Sequence, residues 1–184
     1  MKATRRFLAL LLCLMLCTLS SAALAKEVSY NAKNIFTVRY DDEQVCFDNQ
    51  SYLSECTDVF EWLFMLYHQE NDVIVDVSME YFDEYEDLAL FQADAQTRQA
   101  YVNSMLDAYA DMNIRLLDTF SISEIDIPFY LFSAEDENGS YLVAETVVYG
   151  YAIDFTAYRG DNVPVDEATL NFLCQILDTF EPIL

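Results

Sequence analysis

From Val73 to Glu80 the chain carries a period of two, with Val73, Val75, Val77 and Met79 on one side and, after Ile74, the polar Asp76, Ser78 and Glu80 on the other. A side-chain period of two is the period of a strand, so this stretch predicts one, its valines turned inward and its polar residues outward. The same logic predicts strands at Ile35–Tyr40, Gln44–Phe47, Ile114–Ser121 and Pro128–Glu135. Asp58–His68 is apolar on both faces, with Trp62, Phe64 and Leu66 alternating against Leu63, Met65 and Tyr67, as in a strand covered on each side. Asn138-Gly139 tolerates the positive φ of a tight hairpin turn. The apolar stretch Tyr141–Tyr158 exceeds one ordinary strand and has Gly150 as its natural folding point. Connections this short force antiparallel pairing, because parallel neighbours need a long crossover.

Two segments carry a helical period instead. Tyr85–Asp111 is free of Gly and Pro and repeats Leu88, Phe91, Ala95, Val102, Met105, Tyr109 and Met112 at three-to-four spacing. Arg98 interrupts the stripe and Asp94 offers an N-cap, so it reads as one helix or two. Glu167–Thr179 is a closing amphipathic helix with Asp166 as its N-cap. The expected class is α+β: an antiparallel β-sheet with a long central helix and a C-terminal helix packed on it, sandwich-like as α/β/α.

The N-terminus has a separate purpose. Lys2, Arg5 and Arg6 precede the apolar run Phe7–Leu19, and Ala23-Leu24-Ala25 forms a small-x-small site before Lys26. That is the layout of a secretory signal peptide at residues 1–25. The alternative is an uncleaved leader that tethers the protein to the membrane. Lys26–Asn34 follows as a polar, loose lead-in, and residues 35–184 as a single domain. No other stretch is apolar enough to span a bilayer, so no membrane insertion is expected after leader cleavage.

The 184 residues hold 32 acidic against 9 basic side chains, a formal net charge of −23. The field repels phosphate backbones, which argues against nucleic acid as a partner. With 54% hydrophobic residues, 13 Phe and 13 Tyr, the imbalance does not signal disorder. After the leader, Cys46, Cys56 and Cys174 remain. In an oxidising compartment Cys46 and Cys56, flanking a polar loop, pair as a disulfide or stay free. Cys174, among Leu170, Leu173 and Leu177, reads as a small core residue.

The layout resembles PsbP-like α/β/α sandwich domains, named for an extrinsic subunit of photosystem II and common in bacterial secreted proteins. The similar features are the Phe36–Tyr40 strand Phe-Thr-Val-Arg-Tyr, the mid-chain helix, the three-strand meander and the closing helix ending Leu177-Asp178-Thr179-Phe180. The resemblance implies that fold and a binding or accessory role, and carries over no functional residue.

Catalytic machinery is hard to assemble from this chain. His68 is the sole histidine, at a strand end, and no Gly-x-Ser-x-Gly elbow accompanies it. Three glycines cannot build a phosphate cradle. Paired carboxylates would suit a hydrolase of extracellular glycans, but such clefts also need aromatic platforms, and Trp62 reads as core. Tyr149, Tyr151 and Tyr158 form either a binding surface or half-buried strand packing. Glu80, Asp83, Glu84, Glu86 and Asp87 are the candidate ligands for calcium, with Asp161, Asn162, Asp166 and Glu167 as a second acidic group; a solvated acidic face is the rival reading. Asn49-Gln50-Ser51 and Asn138-Gly139-Ser140 are sugar-acceptor sequons in a glycosylating host. The expectation is a secreted, non-enzymatic acidic binding or accessory domain whose partner is a protein or cell-envelope component, with a glycan hydrolase or a calcium-dependent module as alternatives.

Overall fold

A computed structural model describes residues 26–50, 60–83, 89–90, 92–108, 110, 113–122, 127–160 and 163–183. The leader, Cys56, Glu84, Glu86, Asp87, Asp161 and Asn162 lie outside the described residues. The strands are β1 (Glu27–Ala32), β2 (Phe36–Asp41), β3 (Val45–Asp48), β4 (Phe60–His68), β5 (Val73–Tyr81), β6 (Arg115–Ile122), β7 (Ile127–Asp136), β8 (Gly139–Val148), β9 (Tyr151–Arg159) and β10 (Glu181–Pro182). The helices are α1 (Ala95–Ala108) and α2 (Glu167–Leu177).

The class is α+β, as the periodicity predicts, but the strands form two antiparallel sheets rather than one. Seven strands run β3-β4-β5-β9-β8-β7-β6, and three run β1-β2-β10. The segment expected as a loose lead-in is therefore corrected: Glu27–Ala32 is a strand paired residue by residue with β2. Val28, Tyr30 and Ala32 alternate too weakly to be recognised alone. The pairing holds because Tyr30 packs its ring against Phe47 and Phe64, with centroids 4.7 and 5.0 Å away. Lys33 and Asn34, at φ 52° and 61°, turn the chain into β2.

One face of the large sheet is closed by the small sheet and α2. Val75, Val77, Leu66, Phe64 and Phe155 meet Phe36, Val38, Phe172, Leu173 and Leu177 in one buried cluster. At its centre Phe180 stacks on Phe36 at 5.0 Å and meets Phe129 edge-on at 5.2 Å. Thr179 ties the layers together: its hydroxyl donates to a backbone carbonyl while its oxygen accepts the Arg39 N–H at 2.9 Å. Asp166 caps α2 by accepting the Thr169 N–H at 3.0 Å.

Among the described residues, the helical cover of the opposite face lies at one end. There Tyr101 and Val102 of α1 pack with Leu90 on Tyr130, Phe132, Val147 and Ala152. The helix starts at Ala95, where the two-piece reading with Asp94 as N-cap puts it. Asp94 accepts the Thr97 N–H at 2.8 Å and caps the helix there, while Leu90 is pinned to β8 through a bond to the Val147 carbonyl. The edge strand β6 is interrupted by a register shift between Leu116 and Asp118.

Both predicted hairpins form. Tyr149 and Gly150, at φ 50° and 85°, join β8 to β9. The β7–β8 turn is centred one residue earlier than expected, with Asp136 opposite Gly139. Asp136 holds it by accepting the N–H groups of Asn138 and Gly139 at 2.7 and 3.1 Å, which depresses its carboxyl pKa.

Candidate functional site

Away from α1, the partly covered face of the large sheet carries a groove of about 490 Å³. Its walls come from neighbouring strands: Trp62 of β4, Asp76 of β5, Thr156 and Tyr158 of β9, Tyr141 of β8. The loop residues Asn138, Gly160 and Val163, with Arg159, close its end.

Trp62 reaches this wall through an irregularity that period-two reading does not see. Alternation groups Trp62 with Phe64 and Leu66, which face the core. The β4–β5 register shifts between Trp62 and Phe64, so Trp62 pairs with Ser78 while Phe64 pairs with Val77. One inserted residue, the buried Leu63, turns the indole to the other face, as β-bulges do. Phe60 braces it edge-on at 5.6 Å. The core assignment of Trp62 is thereby corrected.

Asp76 was expected to point into solvent, and it is instead only 6% exposed. Its Oδ2 accepts the Tyr158 hydroxyl at 2.7 Å, while Oδ1 is buried with no hydrogen-bond partner. Burial raises its carboxyl pKa, and the Tyr158 bond pulls the other way. Tyr158 stands edge-on to Tyr141 at 6.0 Å, and Tyr141 is fixed by donating to Asp136 at 3.1 Å. The groove thus holds three aromatic side chains and one carboxylate in positions set by strand register and two side-chain bonds.

Beside the groove on the same face lies a second acidic feature. Glu145 of β8 sits directly opposite Asp154 of β9, and Asp154 opposite Ser78. Glu145 is 1% exposed, and its carboxyl is pushed well above the ordinary 4.5, first by burial and then by the charge of Asp154. Asp154 is raised by burial, held back by its hydrogen bond with Glu145, and raised again by Glu80. The two carboxyls face each other as a coupled pair, and burial favours the protonated form of both. Nothing in the sequence reading singles these residues out, although a signal exists. Once Gly150 is taken as the fold point, the two lone acids of an otherwise apolar stretch fall opposite each other.

The residues singled out for cation binding are described only in part. Glu80 is half-buried next to Asp154, Asp83 is exposed, and Glu84, Glu86 and Asp87 lie outside the described residues. Of the second group, Asp166 is occupied as the α2 cap and by Arg159 at 2.5 Å. Among the described residues no group of three or more His, Cys, Asp or Glu is arranged to hold a metal ion. Cys46 is exposed on β3, and its suggested partner Cys56 is outside the described residues. Cys174 is half-buried, and burial raises its thiol pKa.

His68 is 7% exposed at the border of a second hollow of about 480 Å³, shared with Glu27, Arg39, Asp41 and Gln175. Its ring meets Phe172 edge-on at 5.0 Å, and Nδ1 accepts the Asn71 N–H at 3.3 Å, which leaves a neutral ring its proton on Nε2. The Thr179 hydroxyl, which lines the same hollow, is committed to backbone groups. His68 therefore holds the β4–β5 turn against α2. Of the tyrosines expected as a surface, Tyr158 lines the groove, Tyr151 packs against the core and Tyr149 is exposed at its hairpin.

No protein-family model matches the chain, and no curated protein matches it. Among solved structures, the chain is similar to the cyanobacterial PsbP (CyanoP) of Synechocystis sp. PCC 6803 in solution, at a TM-score of 0.50 and 14% sequence identity. The match covers 88% of this chain and 95% of that one. Among the described residues no helix is long and apolar enough to cross a membrane. With its antiparallel seven-stranded sheet between a helix on one face and a small sheet plus helix on the other, the chain has a PsbP-like fold.

Proposed function

We propose that this protein is a secreted, non-enzymatic binding or accessory domain that takes its partner in the groove of the large sheet. The observation that carries the reading is the groove itself, where a bulge turns Trp62 out of the core to stand with Tyr141, Tyr158 and Asp76. A bulge beside an aromatic-lined concavity re-aims a side chain at a local cost in strand pairing, which favours a functional over a packing role. Binding is favoured over hydrolysis because, among the described residues, Asp76 is the one carboxylate lining the groove, whereas glycoside cleavage by two acids needs a second across the scissile bond. The leader supports export, and the charge of −23 favours a partner that is not itself anionic.

The test is retention. Immobilised protein and its Trp62→Ala variant are challenged with cell-envelope extract, and N-terminal sequencing of exported protein is expected to begin at Lys26. Material held by the parent and released by the variant supports the reading. Equal retention by both, or none by either, overturns it.

A further inference from the structure

We infer that the groove receives a neutral saccharide, with a ring against the Trp62 indole and a ring hydroxyl donating to Asp76. The inference rests on the reading of the groove as the binding surface and adds the chemistry of its occupant.

Three observations converge on this class. Asp76 is only 6% exposed and lines the groove, and its Oδ1 is shut off from solvent without a hydrogen-bond partner, so that a small turn of the carboxylate toward the groove would gain it a donor. A buried acceptor in that state is costly until something donates to it. Second, Trp62, Tyr141 and Tyr158 supply flat apolar surface around that acceptor. A pyranose ring presents a C–H face to such surfaces and hydroxyls at its edge, so one small molecule meets both demands. Third, about 490 Å³ lies within the range of small-molecule sites, roughly 300–1,000 Å³.

The competing occupants fit less well. Phosphorylated or acidic sugars meet the field of a chain at −23. Calcium requires about six to eight oxygens, and among the described residues the groove offers one carboxylate. An ammonium group suits aromatic rings and an acid, but it would share the groove with Arg159.

The chain contains one tryptophan, so its intrinsic fluorescence reports on the groove directly. The purified protein is titrated with chitotriose, cellotriose and maltotriose up to about 10 mM, weaker than any useful site, and separately with tetralysine. A saturable change in Trp62 emission with at least one trisaccharide is expected. Asp76→Asn should weaken it about tenfold or more, the size of one hydrogen bond to a charged acceptor. Thr156→Val, on the neighbouring strand, serves as second variant should Asp76→Asn lose its thermal transition. If no trisaccharide alters the emission, or if affinity survives both variants unchanged, the saccharide assignment is overturned. A response to tetralysine alone overturns the sugar while leaving the groove as the binding surface. Silence toward every probe, with envelope retention indifferent to Trp62→Ala, removes both.

Discussion

Replacing Glu145 by Gln should make the protein more stable at neutral pH and remove a pH dependence. Glu145 binds its proton more tightly than an exposed carboxyl does, because it is buried opposite Asp154. In the unfolded chain it releases that proton around its ordinary value of 4.5. Between that value and the higher one in the folded state, the folded protein binds more protons than the unfolded. Stability therefore falls as pH rises through this window and is unaffected by Glu145 below it. One proton sets a limiting slope of about 1.4 kcal/mol per pH unit. For a protein of this size each kcal/mol corresponds to about 2–4 °C, so Tm should fall by about 3–5 °C per pH unit. Gln has nearly the same shape as protonated Glu, donates to Asp154 and does not titrate. The variant should match the parent below pH 4.5 and exceed it progressively above. Thermal melts by circular dichroism from pH 4 to 8 at fixed ionic strength measure the difference, in which the self-repulsion common to both chains cancels. A constant offset across that range would refute the tighter hold of Glu145 on its proton.

Further substitutions test the rest of the framework. Phe180→Ala removes a ring that touches Phe36, Phe129 and Phe155 at the junction of both sheets, and should cost about 3–5 kcal/mol in urea unfolding. Asp166→Ala takes away the α2 cap, and melts should show a loss of about 1 kcal/mol, slightly more with the Arg159 contact. Tyr149→Asn should raise Tm, because an exposed aromatic at φ 50° gives way to a residue that tolerates that conformation; the gain is about 0.5–1 kcal/mol.

Periodicity exposes this fold wherever a strand is regular and half-buried. The β4–β5 and β8–β9 hairpins follow from alternation and from Gly150, and α2 from Asp166 and its leucine stripe. It fails where a long-range contact overrides local preference. β1 is too polar to be recognised without the Phe47 and Phe64 rings that receive Tyr30, and the choice between one helix and a piece capped by Asp94 is made where Leu90 bonds to a strand far along the chain. The groove was legible in its parts and not in its assembly. Trp62, Tyr158 and the acids are visible as residues, but a single inserted Leu63 decides which face the indole joins. Asp76 looks like a solvent residue on an alternating strand until the walls on either side bury it.

The interrupted pairing of β6 matters beyond its own strand. Leu116 and Leu117 lie exposed on the rim of the large sheet, where a straight, greasy border would invite copies of the molecule to zip together. The kink at Leu117 spoils the spacing of the free amides there, and the opposite rim is only four residues long. Neither side offers a template for growth, so the protein should remain monodisperse at concentrations where flat-edged sheets form fibres.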